Sequence, residues 1–324
     1  MMNIFSFTVA RELCVSCAAP HRSARLGQPM VKNPKGSNDQ PPQISREEAI
    51  AIMKGGLGEA ELALVASFCA PLYWVNRIDV RQIEVKNGSA FFLDAGKGPL
   101  GVTAYHVVKK WQQHRENGCG PLRLGGEGNS IDFYYEDREI AFHPGIDIAT
   151  FKITPEEIRR IGKTIITGVQ SSWPPKPPTV NRGVYYCGFP QVETRQLSLQ
   201  KVEFGCLRGS GVASAINDRD AVTLIEREHL IPTGSRPAPP ENFDFGGISG
   251  GIMTTVVEGP LRSWALAGMI YEGPNTSKNP DEAITGFEII RARRADFLRP
   301  DGTLDTALWY SIGGTDKPPS EQEG

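Results

Sequence analysis

The chain of 324 residues carries 35 Lys and Arg against 37 Asp and Glu, a formal net charge of −2 with the basic residues dispersed. It lacks the concentrated positive field that nucleic-acid binding needs, so polyanions are not expected partners. Its 35 Gly and 25 Pro are more than a helical protein tolerates and suit turn-rich β structure, and no apolar run approaches the length of a membrane span.

The first 43 residues read as a disordered lead-in. Ile4 to Ala10 is apolar but short, has no basic residue before it and meets Arg11-Glu12 at once, so it is not a secretory signal and the cytoplasm is the default location. Residues 18–43 are polar and rich in Pro and Gly. The six cysteines, Cys14, Cys17, Cys69, Cys119, Cys187 and Cys206, form no dense framework and read as free thiols; Cys14-x-x-Cys17 lacks the second ligand pair that zinc requires. Residues 44–74 read as a helical extension. Ser45-Arg46-Glu47-Glu48 is a capping box opening a short helix that ends at Gly55-Gly56, and a second helix covers Glu59 to Phe68. Its apolar face, Ile50, Leu62 and Val65, is expected to pack on the body of the protein; a regulatory or partner-docking role is the alternative.

The main domain is expected over residues 75–312. Ser89–Leu93 and Leu100–Ala104 flank a Gly96-Lys97-Gly98-Pro99 turn and deliver His106 at the end of a hairpin. Ile131, Phe133 and Tyr135 alternate with polar positions before the strand Ile146 to Ile153, which closes a first half at about residue 170. Trp173 to Pro178 cannot enter a sheet interior and reads as a linker, with SH3-type recognition as the alternative. A second half, about residues 180–300, draws strands from Val184–Gly188, Leu197–Cys206, Val212–Ile216, Val222–Ile225, Ile252–Val257, Trp264–Tyr271 and Gly286–Ile290, with a closing helix around Arg291–Leu298. Residues 313–324 read as a disordered tail.

Gly247-Ile248-Ser249-Gly250-Gly251 carries the chemistry. A serine hydroxyl becomes a nucleophile only when a base takes its proton, and glycines let a backbone aim two N–H groups, here those of Gly247 and Ser249, at a developing oxyanion. The α/β-hydrolase elbow shares the Gly-x-Ser-x-Gly pattern but needs a downstream His, and none of the five histidines follows Ser249. His106 ends a strand and enters an apolar turn, which favours it as base. His114 reads as solvated, His143 lies in a loop before Pro144, and His229 is near a strand end; His143 is the rival, four residues from Asp147. Asp147, flanked by apolar residues, would be costly to bury without a partner and is the natural orienter of the imidazole.

With Thr103-Ala104-Tyr105-His106, Asp147-Ile148-Ala149, the serine pentapeptide, Tyr185 to Pro190 and Leu266 to Gly273, the chain over about 78–299 resembles the trypsin/chymotrypsin-like serine peptidases, particularly the bacterial forms. The resemblance implies an all-β chymotrypsin-like fold of two six-stranded antiparallel barrels, here with a short N-terminal helical extension and a C-terminal helix. It also implies acyl transfer by His106, Asp147 and Ser249 on peptide substrates, with no metal or organic cofactor. The substrate pocket is expected from Phe243, Asp244 and Phe245 on one side and Tyr271, Glu272 and Gly273 on the other. Two positions depart from the family: Ile248 stands where the digestive enzymes have an Asp that pairs with a new N-terminus, and Tyr271 stands where a Ser usually bonds the catalytic Asp. Both leave open a catalytically silent, protease-like binding module. Oligomeric state is not legible.

Overall fold

The computed structural model describes residues 4–9, 45–77, 83–126, 129–167, 173–198, 201–233, 238–241, 243–257, 263–274 and 288–318. Cys14, Cys17 and the segment 18–43 lie outside the described residues, as do 319–324.

A strand, β1 (Ile4–Val9), opens the chain. After the N-terminal gap in the described residues, Ser45 Oγ accepts the amide of Glu48 while the Glu48 carboxylate accepts that of Ser45, closing the capping box at the head of α1 (Arg46–Ile52). These hydrogen bonds hold the Glu48 carboxyl below its usual range. A wider π-turn with Gly56 at φ 108° joins it to α2 (Gly58–Ser67). Leu62 and Val65 of α2 are fully buried, each contributing about 1.5–3 kcal/mol of burial. The Glu61 carboxylate, also buried, accepts the hydroxyl of Tyr185 from the second half.

The strands of the main domain begin at Cys69, not at Val75. The first half contains β2 (Cys69–Arg77), β3 (Ile83–Asp94), β4 (Leu100–Ala104), α3 (Tyr105–Glu116), β5 (Leu122–Leu124), β6 (Ile131–Phe133), α4 (Tyr135–Arg138), β7 (Glu139–His143), β8 (Ile148–Lys152), α5 (Pro155–Arg160) and β9 (Ile166–Thr167). Its sheet runs β6-β5-β2-β3-β4-β8-β7, with β9 added alongside β3. This is a curled half-barrel, not the closed six-stranded barrel the resemblance implies. The reason is local: β6 is three residues long and turns into α4, so it never reaches β7. The buried Tyr135 of α4 covers that flank instead, its hydroxyl donating to the carbonyls of Ala141 and Thr150.

After the Pro-rich segment come β10 (Gly183–Gly188), the hairpin β11 (Thr194–Gln196) and β12 (Val202–Phe204), then β13 (Cys206–Ile216), β14 (Asp220–Ile225), β15 (Leu230–Pro232), β16 (Ile252–Val257), β17 (Ser263–Glu272) and β18 (Glu288–Arg294). Strands β10, β16, β17, β18, β14 and β13 pair in that order, and β13 pairs back to β10, closing a six-stranded barrel. The expected single strand over Leu197–Cys206 is therefore mostly hairpin. The expected helix over Arg291–Leu298 is largely β18 followed by a 3-10 turn at Ala295–Phe297. The helix-forming run Arg-Ala-Arg-Arg yields to tertiary pairing, because β14 finds its barrel partner there, from Asp220↔Arg293 to Ile225↔Glu288.

Within the lead-in read as disordered, the first strand pairs with the second half, and Thr315 of the tail meets the last helix. β1 runs parallel to β13 and antiparallel to β15. At the other end, α6 (Thr306–Ser311), capped by Asp305 accepting from Leu308 N, buries Trp309 completely, and Trp309 Nε1 donates to Thr315 O at 2.9 Å. The two halves meet along β10, which has period-two burial on both faces. Val184 and Tyr186 point into the barrel core with Met253 and Ile270, while Tyr185 and Cys187 join the larger core with Phe91, Phe92 and Trp111. Among the described residues no helix is long and apolar enough to cross a membrane.

Candidate active site

The β4–β8 ladder brings His106 and Asp147 together. Ala104 pairs with Ile148, so the residues just beyond, Tyr105 at the start of α3 and Asp147 at the end of the β7–β8 turn, face each other. Tyr105 N donates to Asp147 O, His106 N donates to Asp147 Oδ1 at 2.9 Å, and His106 Nδ1 lies 2.7 Å from Asp147 Oδ2. A carboxylate here satisfies one of the orphan amides of the helix and sits at the positive end of its dipole. Asp147 is only 2% exposed, while the His106 side chain is 44% exposed, so the carboxylate is enclosed and the imidazole faces out. With Nδ1 bonded to the carboxylate, Nε2 is the nitrogen left to act on a hydroxyl.

Asp147 adopts a left-handed backbone, φ 61°, uncommon for a side chain that is not Gly. Its turn is pinned: Asp147 N donates to His143 O, and the amides of Gly145 and Ile146 both donate to His143 Nδ1. His143 is buried, and its Nδ1 serves as acceptor within the turn. Burial pulls its pKa below the ordinary 6.5, with the Asp316 carboxylate opposing. His114 is not simply solvated: its Nδ1 accepts from Trp74 Nε1 at 2.8 Å, and burial together with Lys110 and Lys86 lowers its pKa.

The serine turn is held by carbonyls. Gln191 N donates to Gly246 O, Ser89 Oγ to Gly247 O at 2.9 Å, Gly251 N to Ile248 O and Ser89 N to Ser249 O at 2.8 Å. A trans peptide points its N–H opposite its C=O, so fixing Gly246 O and Ile248 O turns the amides of Gly247 and Ser249 away from the scaffold. Among the described residues neither amide has a hydrogen-bond partner. The turn requires glycines at Gly247 (φ 99°) and Gly250 (φ 87°), and a Cβ at the latter would sit 1.9 Å from Ser89 O. Gly88 of β3 abuts both Val107 of α3 and the carbonyl of Ser249, so the His106 helix and the serine turn meet over one strand. Ser249 Oγ donates to Tyr271 O at 3.2 Å; no hydrogen bond joins it to His106 Nε2.

The expected pocket residues divide. Phe243 and Phe245 are 3% and 1% exposed and pack edge to face at 5.0 Å in the barrel core with Ile248, so they are not pocket walls. Asp244 is exposed, its Oδ1 accepting from Gly246 N. Glu272 lies 3.6 Å from Arg291, and Gly273 packs against Ile248 and Phe245. Tyr271 is the extra residue of a bulge between β17 and β18. Its hydroxyl bonds Asp220 and not Asp147, and burial, with the Asp220 charge adding, holds the phenol above its usual range. Ser89, Gln191 and Arg293 are contributors the sequence did not disclose. Among the described residues no three His, Cys, Asp or Glu side chains converge as a metal group.

No family model and no curated protein matches the chain. Among solved structures it is similar to the serine protease domain of the Sesbania mosaic virus polyprotein, at 14% identity and a TM-score of 0.35, covering 65% of this chain and 85% of that one. It is also similar to a structure described by the aromatic interactions that drive coupled folding and binding of the intrinsically disordered VPg protein of the same virus, at 14% identity and a TM-score of 0.34, covering 70% and 92%.

Proposed function

We propose that the chain is a serine endopeptidase with Ser249 as nucleophile, His106 as general base and acid, and Asp147 as orienter. The observation that carries this reading is the enclosed Asp147 carboxylate bonded to both the amide and Nδ1 of His106, beside a glycine turn with two free N–H groups. Ser249 Oγ leaves Tyr271 O, turns to His106 Nε2 and attacks a peptide carbonyl as the imidazole takes its proton. The carbonyl oxygen becomes an oxyanion received by Gly247 N and Ser249 N, donors typically worth about 3 kcal/mol each. The imidazolium returns the proton to the leaving amine, and water, deprotonated by the same imidazole, hydrolyses the acyl-enzyme.

A silent, protease-like binding module is the second reading, favoured by the bond from Ser249 Oγ to Tyr271 O. A fluorophosphonate probe separates the two, because only an activated serine reacts. Labelling of the wild type, lost in Ser249→Ala without a change in melting temperature, is expected; an unlabelled wild type would sink the peptidase reading.

A further inference from the structure

Arg293 projects from β18 of the closed barrel and is 3% exposed. Its Nη1 donates to Asp220 Oδ1 at 2.7 Å, within the same barrel. Its Nε crosses to the other half of the molecule and donates to Ile146 O at 2.8 Å, the carbonyl of the peptide bond that supplies the amide of Asp147. The guanidinium is packed between two rings, 4.5 Å from the Tyr271 centroid and 4.8 Å from that of Trp309. Tyr271 is the residue whose carbonyl receives Ser249 Oγ. One side chain therefore touches the turn of the acid on one half and the strand beside the nucleophile on the other.

We infer that Arg293 is a positioning residue that fixes the Asp147 turn, and with it the His106 ring, relative to the serine strand. Among the described residues Asp220 is its one ion-pair partner; the Nε bond and the two ring contacts are what span the halves. A left-handed Asp persists only where its surroundings over-determine it. Here the peptide preceding Asp147 is fixed at its amide end by His143 O, which accepts Asp147 N–H, and at its carbonyl end by Arg293 Nε, which donates to Ile146 O. Without the latter, the carboxylate is free to rock away from the imidazole, a sub-ångström loss that costs rate more than binding.

The inference rests on the peptidase reading for its kinetic consequence, and the test keeps the two apart. Arg293→Lys keeps a cation against Asp220 but lacks the planar fork that also reaches Ile146 O. Two quantities are measured in the full chain: the rate of fluorophosphonate labelling and the low-field proton resonance of the His106–Asp147 bond. Labelling is expected to slow by about 10–100-fold, with peptide kcat falling and KM held, and the resonance to broaden or shift. Arg208→Lys, at another buried Arg paired with Glu59, serves as control and is expected to leave both unchanged. Wild-type labelling and an unaltered resonance in Arg293→Lys would overturn the inference. Where the wild type itself does not label, the peptidase reading fails and the resonance decides alone: altered in Arg293→Lys it supports positioning, unaltered it refutes it. If Arg293→Lys does not fold, Arg293→Gln with Asp220→Asn removes both charges together and is judged by the same two measurements.

Discussion

Ser89→Ala isolates the scaffold of the serine turn from its chemistry. Ser89 is fully buried on β3; its Oγ donates to Gly247 O and accepts Phe189 N at 2.9 Å, while its own amide holds Ser249 O. Alanine keeps the amide bond and removes both hydroxyl bonds. Phe189 is 0% exposed, so its amide loses its partner without access to water, at about 1–3 kcal/mol; Gly247 is half-buried, and its carbonyl can recruit water at a cost of about 0.5–1.5 kcal/mol. A total of about 1.5–4.5 kcal/mol of stability is expected to be lost. The Gly247–Ile248 peptide lies between the two that carry the oxyanion donors, so its release loosens both, and acylation should slow by about 10–100-fold. Urea unfolding and fluorophosphonate labelling of folded protein measure the two effects separately. Labelling at the wild-type rate in a variant destabilised by the expected amount would refute the claim that Ser89 aligns the donors.

Asp147→Asn should lower peptide cleavage by about 10³–10⁴-fold with little change in fold. The amide oxygen can still accept from His106 N, which leaves the NH₂ facing Nδ1; that nitrogen must then accept, the ring proton moves to Nε2, and the base is lost. Retention of more than a tenth of wild-type kcat would exclude Asp147 as orienter. The pH dependence of stability follows from His143, whose pKa is lowered by burial although Asp316 opposes the shift. The unfolded chain takes up this proton near 6.5 and the folded one only at lower pH, so stability is complete above that value and declines as the pH falls below it. His114, also lowered, adds in the same direction. Thermal midpoints between pH 7 and pH 5 should fall in the wild type and fall less in His143→Asn, whose amide oxygen can still accept from Gly145 and Ile146; parallel declines would discount His143.

What the sequence discloses and what it hides differ by the distance over which the cause acts. The His106 strand end, the apolar frame of Asp147 and the glycines around Ser249 are local patterns, and the structure places all three around β3 and β4. The capping box at Ser45 is equally local. Phe243 and Phe245 look like pocket walls because they stand just before the serine turn; only the third dimension shows them meeting Ile248 inside the barrel. The charged run of β18 has helical propensity, and nothing near it announces that β14 needs a partner. Ser89 and Arg293 act across the two halves, and their roles have no sequence signature beyond alternation in a strand.

Ile248 connects this hidden scaffold to how the site is brought into being. An acid at this position would need a cationic partner before the turn could order. Ile248 instead is 1% exposed, packed on Gly188 of β10 and Gly273 beyond β17, so its contribution is apolar and present as soon as the barrel closes. The directional part of the task falls to Gln191 N and Gly251 N, which hold the carbonyls of Gly246 and Ile248, and to Ser89 on both sides of the nucleophile. Gln191 is itself fixed to β3, its side chain accepting from Asn87 N and donating to Val85 O. Every one of these groups belongs to the folded halves. The outward turn of the Gly247 and Ser249 amides is thus a consequence of docking the half-barrel on the barrel.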